Sequence, residues 1–284
     1  MANFSKISDN ASKLLNAELK FDLGGRSFDN DVTSTTFIDK NKKAVFFFVS
    51  REPITLCGIN FIDKYLKRFS KKVKMRKKFN DGAKIKKDQF IAEIYGNCRV
   101  ILSLERTLLN FLQHLSSIST TTSDLINKMG NSKTKLLDTR KTTTGLRLLE
   151  KYATSVGGAK NHRLDLSQKI LLKDNHISLS GNLESIMSKI NMNRIKKYQI
   201  ECDKFEQAKK LIKLGCRHLL LDNMEVKEIK KCINLKSDKK IIFEISGGIN
   251  FKNIKEYANL GADYISAGFI TNSKRSVDIG LDII

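Results

Sequence analysis

Basic side chains recur beside apolar segments in the second half of the 284-residue chain. They are Arg140, Lys141, His162, Arg163 and Lys173. Arginine can bind a carboxylate or a phosphate through two parallel hydrogen bonds, whereas lysine acts as a point charge. The set therefore predicts a site for a small ligand that carries several negative charges.

Two acidic residues and two segments of small residues complete this pattern. Glu201 and Asp222 each end an apolar segment, and small residues follow two later ones, at Ser246–Gly248 and Ala267–Gly268. Glycine loops between a strand and a helix expose backbone N–H groups to a phosphate. Paired carboxylates beside a phosphorylated ligand suit a hydrated Mg²⁺ ion. We therefore expect at least one phosphate in the ligand, with Mg²⁺ as the cofactor.

Each of these features also has a structural explanation. A single cation after a strand is often part of a surface ion pair, Asp222 with Asn223 could cap a helix, and the glycines could only form a turn. His162 could be a structural histidine. The recurrence of five basic residues at corresponding positions favours a functional site, whereas for Asp174–His176 both explanations stay open.

A repeat of strand, loop and helix positions these residues. The expected strands are KLLDTR, KILLKD, YQIECD, HLLLDN, IIFEIS and DYISAG, and helical segments such as FEQAKKLIKLG separate several of them. Their polar ends recur every 21 to 32 residues, the length of one βα unit. This spacing predicts a complete or open α/β barrel, in which the carboxyl ends of the strands form the rim of the active site.

The first half of the chain has a different pattern. From about Phe21 to Val100 we expect short strands and turns, including the strand AVFFFVS, and from Leu104 to about Gly130 a helix with apolar residues at intervals of three and four. The chain contains one proline and no low-complexity linker. The domain boundary is therefore expected where the pattern changes.

The composition is that of a soluble globular protein. Residues of the set AVILMFWYC make up 40%, which excludes collagen-like and wholly disordered classes. The five cysteines include no CxxC pair, so we expect neither a disulfide framework nor a zinc site, and a cytoplasmic location. We expect no signal peptide and no membrane-spanning segment.

The net charge of +22 is unevenly distributed. The range 64–87 holds twelve Lys and Arg residues and one acid, Asp81. Such a run could bind nucleic acid, but no nucleic-acid-binding motif accompanies it, and lysine-rich runs are usually solvated surface. We favour the surface interpretation and keep nucleic-acid binding as an alternative.

A long segment of the chain resembles a known enzyme family. LLDTRKTTTGLRLLEKYATSVGGAKNHRLDLSQKILLKDNHI resembles the signature region of the quinolinate phosphoribosyltransferases, the decarboxylating nicotinate-nucleotide pyrophosphorylases. Further similar segments occur in the family's order, namely DVTS, REPITLCGI, LERTLLNFLQHLSSIST, LLLDNM and EISGGINFKNIKEYANLGADYISAG.

The resemblance implies an N-terminal open α/β sandwich and a C-terminal incomplete (β/α) barrel. We expect the sandwich at 1–112, with the tail 271–284 packing back on it, and the barrel at 113–270. The implied reaction is that of a pentosyltransferase in NAD biosynthesis, which joins quinolinate to phosphoribosyl pyrophosphate and releases pyrophosphate and CO₂. The implied assembly is a homodimer or a hexamer, in which Arg106 serves the partner's site.

The resemblance also assigns roles to individual residues. The implied substrate-binding residues are Arg106, Thr139, Arg140, Lys141, His162, Arg163, Lys173, Glu201, Asp222, Ser246, Gly247, Gly248, Ala267, Gly268 and Phe269. Those implied in catalysis are Lys141, Lys173, Glu201 and Asp222. Glu201 and Asp222 would hold Mg²⁺ directly or through water or substrate. The donor of the proton that replaces CO₂ is left open between Lys141 and water.

Two positions depart from the family pattern. Thr144 stands where the family commonly has proline, and Gln199 stands where it often has glutamate. Neither removes a group that would touch the substrate. A paralogue of the same fold from molybdenum operons is the alternative within the family.

Overall fold

The computed structural model describes residues 4–69, 71–191, 195, 198–236 and 241–283, which form two compact units. The first comprises Met1–Ser123, Thr143–Gly158 and Lys274–Ile284, and the second comprises Asp124–Thr142 and Ala159–Ser273. The boundary expected at 112/113 stays a prediction. Residues 1–3, 70 and 284 of the expected sandwich and tail lie outside the described residues.

The first unit combines an antiparallel sheet with helices. Its helices are α1 (Phe4–Asp22), α2 (Val32–Phe37), α3 (Ile59–Phe69), α4 (Cys98–Met129, which continues into the second unit) and α5 (Arg147–Val156), with a 3₁₀ turn at Phe28–Asn30. Its strands are β1 (Lys43–Ser50), β2 (Ile54–Thr55), β3 (Val73–Lys77), β4 (Lys84–Ile85), β5 (Phe90–Asn97) and β12 (Ile279–Ile283). The sheet order β12-β1-β5-β3 is antiparallel throughout, and β2 pairs with β4.

Alternation along β1 determines which face of this sheet is buried. Phe46 and Phe48 are buried, whereas Val45, on the opposite face of the strand, is exposed. The buried side chains join those of α1, α3 and α4 in one apolar core. The sequence predicts β1, β4, β5 and the body of α4, but α3 lies where only strands and turns are expected.

The second unit is built on a parallel sheet. Its strands are β6 (Lys135–Leu137), β7 (Leu171–Leu172), β8 (Gln199–Cys202), β9 (His218–Asp222), β10 (Ile242–Ser246) and β11 (Tyr264–Ser266), in the order β6-β11-β10-β9-β8-β7. Its helices are α6 (Asp174–Leu179), α7 (Leu183–Lys189), α8 (Phe205–Lys213), α9 (Val226–Asn234), α10 (Ile254–Ala258) and α11 (Phe269–Asn272). All six expected strands are confirmed.

The parallel sheet forms an incomplete barrel. Its strands are almost entirely apolar because both faces are covered, as in β9, where Leu219, Leu220 and Leu221 are all buried. In the part of the chain that the structure describes, no strand joins β6 to β7, so the barrel is open. The carboxyl ends of all six strands therefore lie along one edge.

A glycine turn terminates helix α8. Gly215 lies two residues after the last helical residue, Lys213, and its φ of 90° is strained for other residues. Its N–H donates to Ile212 O, and the next N–H, of Cys216, donates to Leu211 O. Among the described residues, no helix combines the length and apolarity required to cross a bilayer.

Candidate active site

A cavity of about 610 Å³ lies at the carboxyl edge of the parallel sheet, within the second unit. Loops that follow separate strands contribute its walls, which explains why residues far apart in the sequence meet there. Most residues that the sequence predicts for the site line this cavity, namely Thr139, Arg140, Lys141, His162, Arg163, Lys173, Asp222, Ser246, Gly247, Gly248, Gly268 and Phe269.

Three predicted residues do not line the cavity. Arg106 belongs to the first unit, where it is exposed on α4. Glu201 is 9% exposed, and its Oε2 accepts a hydrogen bond of 3.2 Å from Lys173 Nζ. Ala267 is buried, and its N–H donates to Leu137 O. The roles of all three stay predictions.

A buried aspartate after β6 organises the basic loops. Asp138 accepts hydrogen bonds from the backbone N–H of His162 at 2.7 Å and from Asn161 Nδ2 at 2.6 Å. In the adjacent loop, Thr139 Oγ1 accepts from the N–H of Lys141, and Lys141 O accepts from Thr271 Oγ1. These bonds attach both basic loops to the barrel, but the sequence analysis did not single out Asp138.

Two guanidinium groups lie close together in the cavity. Burial, followed by the positive charge of Arg140, lowers the pKa of Arg163 from its ordinary value. Arg163 Nη1 donates to Lys169 O at 2.8 Å, and Arg140 Nε is buried without a hydrogen-bond partner among the described residues. Two partly buried cations that repel each other are stabilised by an anion between them.

The loop after β10 is shaped by a close backbone approach. Gly247 has a φ of 92°, and a Cβ atom there would overlap Asn223 Oδ1 and lie 2.7 Å from Asn223 N. The N–H of Asn223 donates to Ser246 O at 3.0 Å, which joins this loop to the end of β9. Gly248, at φ 62°, borders open space, so its backbone is accessible to a ligand.

His176, in the first turn of helix α6, supports the preceding backbone. His176 Nδ1 accepts from the N–H of Lys173 at 3.1 Å, and Asp174 Oδ1 accepts from the N–H of Asn175. This arrangement holds the backbone from which Lys173 reaches the cavity. It gives His176 a structural contact.

Comparison with known proteins identifies the family to which this site belongs. Residues 31–116 match the model of the "Quinolinate phosphoribosyl transferase, N-terminal domain", and residues 118–282 match that of the corresponding C-terminal domain. The chain belongs to the quinolinate phosphoribosyltransferase family.

Relatives of known name match along their full length. The probable nicotinate-nucleotide pyrophosphorylase [carboxylating] of Methanocaldococcus jannaschii is 36% identical, over 98% of this chain and 99% of its own. The enzyme of that name from Mycobacterium leprae is 30% identical, over 99% and 98%. The crystal structure of the Ehrlichia chaffeensis nicotinate-nucleotide pyrophosphorylase covers 100% of both chains, with a TM-score of 0.88 and 35% identity.

The acidic residues of this quinolinate phosphoribosyltransferase family member fit a magnesium ion that is shared with a ligand. Asp222 lines the cavity, and its Oδ2 accepts from Asn223 Nδ2 at 2.7 Å. The described residues contain no group of three or more His, Cys, Asp or Glu side chains that could enclose a metal by themselves. Mg²⁺ commonly keeps several waters and takes one or two carboxylates together with substrate phosphates, so this donor set is suitable.

Glu244 is an acidic cavity residue that the sequence analysis did not predict. It lies in β10 with 1% of its surface exposed, and it lines the cavity. Gln199, the residue at one of the two family departures, donates from Nε2 to Glu244 Oε2 at 2.7 Å. A charged residue inside the apolar segment IIFEIS was the available signal, because such a residue is rarely buried without partners.

Proposed function

We propose that the cavity of the second unit catalyses phosphoribosyl transfer to quinolinate. Phosphoribosyl pyrophosphate donates the sugar phosphate, and nicotinate mononucleotide, pyrophosphate and CO₂ are the products. The observation that carries the proposal is that Arg140, Arg163 and Lys173 line the same cavity as the glycine loop at Gly247–Gly248. A site with both features suits a ligand pair that combines a dicarboxylate with a phosphate.

The basic residues of the cavity would bind the diacid. Quinolinate carries two adjacent carboxylates at neutral pH, and the guanidinium groups of Arg140 and Arg163 match carboxylates in geometry and charge. The repulsion between the two cations is relieved when an anion lies between them. Lys173, which reaches Glu201, would contribute a third positive charge.

The glycine loops would bind the 5′-phosphate of the sugar. The accessible backbone at Gly248 and the narrow turn at Gly247 place N–H groups and not side chains at the cavity wall. Gly268 contributes a second close approach, because a Cβ atom there would lie 2.9 Å from Lys141 Cδ. Two such loops on adjacent strands suit the phosphate and the ribose of one ligand.

The chemistry requires positioning and charge stabilisation more than a nucleophilic side chain. Displacement of pyrophosphate from C1 of the ribose passes through an oxocarbenium-like state, so holding the pyridine nitrogen near C1 lowers the barrier. The alkylated ring nitrogen is then cationic and stabilises the electron pair that stays on the adjacent C2 as CO₂ leaves. A proton from Lys141 or from water replaces the carboxylate.

Asp222 and Glu201 would hold Mg²⁺ through water or through the pyrophosphate. When bound, the ion would neutralise the charge that develops on the departing pyrophosphate. Lys173 donates to Glu201 and thereby orients that carboxylate in the site. This donor set supports magnesium as the cofactor.

We also propose a homodimer and a cytoplasmic location. The resemblance to the family implies that Arg106 of one subunit serves the partner's site, and the exposure of Arg106 on α4 is compatible with such a contact. All five cysteines are free and buried, which is typical of proteins from a reducing compartment.

The function is tested by incubating the purified protein with quinolinate, phosphoribosyl pyrophosphate and Mg²⁺. We expect nicotinate mononucleotide and CO₂ in equal amounts, detected by chromatography and by release of label from the C2 carboxylate. Nicotinate, which lacks that carboxylate, is the matched control substrate and should not be converted. Failure to form the nucleotide from quinolinate would contradict the proposal.

A further inference from the structure

Two histidines approach the same buried carboxylate beneath the cavity. His162 Nε2 lies 3.5 Å from Glu244 Oε1, and His218 Nε2 lies 3.8 Å from Glu244 Oε2. Gln199 Nε2 donates to Oε2 as well. Of these residues, His162 and Glu244 line the cavity. Oε1 of Glu244 therefore faces His162, which borders the ligand site, and Oε2 faces His218 and Gln199.

The second nitrogen of each histidine already accepts a hydrogen bond. The N–H of Arg163 donates to His162 Nδ1 at 2.8 Å, and Lys169 Nζ lies 2.8 Å from His218 Nδ1. An ammonium group and a backbone N–H are donors, so both Nδ1 atoms carry a lone pair and no proton. The proton of each neutral ring is then on Nε2, which faces Glu244.

We infer that Glu244 is a positioning residue that, together with the N–H of Arg163, holds His162 as the neutral ring protonated at Nε2. Both ring nitrogens of His162 are then engaged, so His162 gives the cavity a fixed ring edge, while the formal positive charge is supplied by Arg140, Arg163 and Lys173. The identity of the ligand in this inference rests on the proposed function, whereas the state of the ring does not.

The surroundings of His162 oppose the alternative, doubly protonated ring. A proton on Nδ1 would point at the N–H of Arg163 across 2.8 Å, donor against donor. It would also add a cation beside the guanidinium groups of Arg140 and Arg163, which already repel each other. Glu244, on the other side, is ionised: burial raises its pKa, but the nearby rings of His162 and His218 and the hydrogen bond from Gln199 outweigh burial and keep the pKa below its ordinary range.

The state of the ring can be read directly by nuclear magnetic resonance. The chain contains four histidines, so a protein labelled with ¹⁵N-histidine gives a simple spectrum, and His162→Gln identifies the signals of His162. At pH 7.5 and without ligand, we expect one protonated nitrogen (Nε2) and one unprotonated nitrogen (Nδ1) in His162. Two protonated nitrogens, or a proton on Nδ1, would overturn the inference even if no Glu244 variant could be purified.

Glu244→Gln tests the positioning role. Because Gln199 occupies one side of residue 244 as a donor, the new amide would keep its oxygen there and turn its NH₂ group toward the Nε2–H of His162. We expect His162 to lose its single fixed form, and KM for quinolinate to rise about tenfold with kcat little changed. Glu244→Asp, which keeps an acceptor, should retain the fixed form.

A second buried histidine–glutamate pair provides the matched control. In the first unit, His114 Nε2 lies 2.9 Å from Oε1 of the fully buried Glu150. Glu150→Gln should change the signals of His114 and leave those of His162 unaltered. Unchanged His162 signals and an unchanged KM in Glu244→Gln would refute the positioning role. A wild-type protein that shows the expected ring but forms no nicotinate mononucleotide would instead refute the proposed function.

Discussion

The capacity of each arginine in this site to bind a ligand depends on how many of its N–H donors are free of hydrogen bonds within the protein. Arg163 donates one hydrogen bond to Lys169 O. This bond orients its guanidinium group and leaves most of its N–H donors for a ligand. Arg140 has a buried Nε without a partner among the described residues. A side chain held as that of Arg163 is loses little entropy when it binds an anion.

At the residue scale, Arg163→Ala should raise KM for quinolinate by at least about thirtyfold, equivalent to about 2 kcal/mol or more. A carboxylate of the substrate would then lose a charge-assisted partner. Steady-state kinetics with quinolinate as the varied substrate measures the effect. Arg217→Ala is the matched control, since Arg217 also donates to backbone carbonyls, of Ile212 and Cys216, but does not line the cavity. A wild-type KM in Arg163→Ala would contradict the assignment.

Among the elements, the loops carry the chemistry and the strands set its spacing. The six parallel strands and the direction of their carboxyl ends follow from the sequence, because apolar segments recur at the length of one βα unit. Helix α3 does not follow from it in the same way. Its segment INFIDKYLKRF begins a lysine-rich stretch, and its apolar side, with Ile59, Ile62 and Leu66, becomes evident only from the core it covers.

At the element scale, Gly247→Ala should reduce kcat/KM for phosphoribosyl pyrophosphate by more than about tenfold. A methyl group there meets the backbone and side chain of Asn223, so the loop has to move from the phosphate position. Gly215→Ala is the matched control: its φ of 90° imposes similar backbone strain, but its nearest neighbour would be Ile195 Cγ2 at 3.8 Å. In urea unfolding, Gly215→Ala should lose about 1 kcal/mol of stability through backbone strain, and Gly247→Ala should lose more, because its methyl group also overlaps Asn223.

The Gly247 prediction is refuted if the two glycine variants lose activity equally. Equal losses would mean that backbone strain, and not the contact with Asn223, determines the effect. Each variant is therefore compared at a temperature where both are folded, with far-ultraviolet circular dichroism as the check.

At the scale of the whole molecule, much of the excess positive charge lies in the basic stretch 64–87, and none of the described residues of this stretch lines the cavity. In the basic stretch 64–87, Arg76 pairs with Glu93, Lys67 with Asp63, and Arg68 with Asp9. Glu93 and Asp9 lie on other elements of the first unit, and Asp63 lies on the same helix as Lys67. These acids neutralise part of the stretch. The pairs agree with a solvated surface, and nucleic-acid binding by this stretch stays an untested alternative.

At the scale of the assembly, the proposed shared site predicts complementation between damaged subunits. Arg106→Ala and Arg140→Ala should each be nearly inactive as pure proteins. A mixture that exchanges subunits should recover up to about a quarter of wild-type activity, because half of the dimers are then mixed and each mixed dimer holds one intact site. The measurement is nicotinate mononucleotide formation after subunit exchange, and no recovery despite proven exchange would contradict the shared site.

The sequence by itself determined the order of the βα units and most of the side chains at their carboxyl ends. This was possible because the direction of a parallel strand and the period of its unit are local properties, written in short apolar segments. Lys173, Asp222 and Gly248 could be placed at one edge for that reason, and they line one cavity.

Only the tertiary structure decided how these groups are held. Through Glu244, strand β10 contacts β8 at Gln199, β9 at His218 and the loop that holds His162. The overlap at Gly247 depends on the position of Asn223, which follows a different strand. Such contacts depend on strand register and on the rotamers that packing allows, which no short segment encodes alone. The charge and tautomer of a histidine follow from those contacts and not from its place in the sequence.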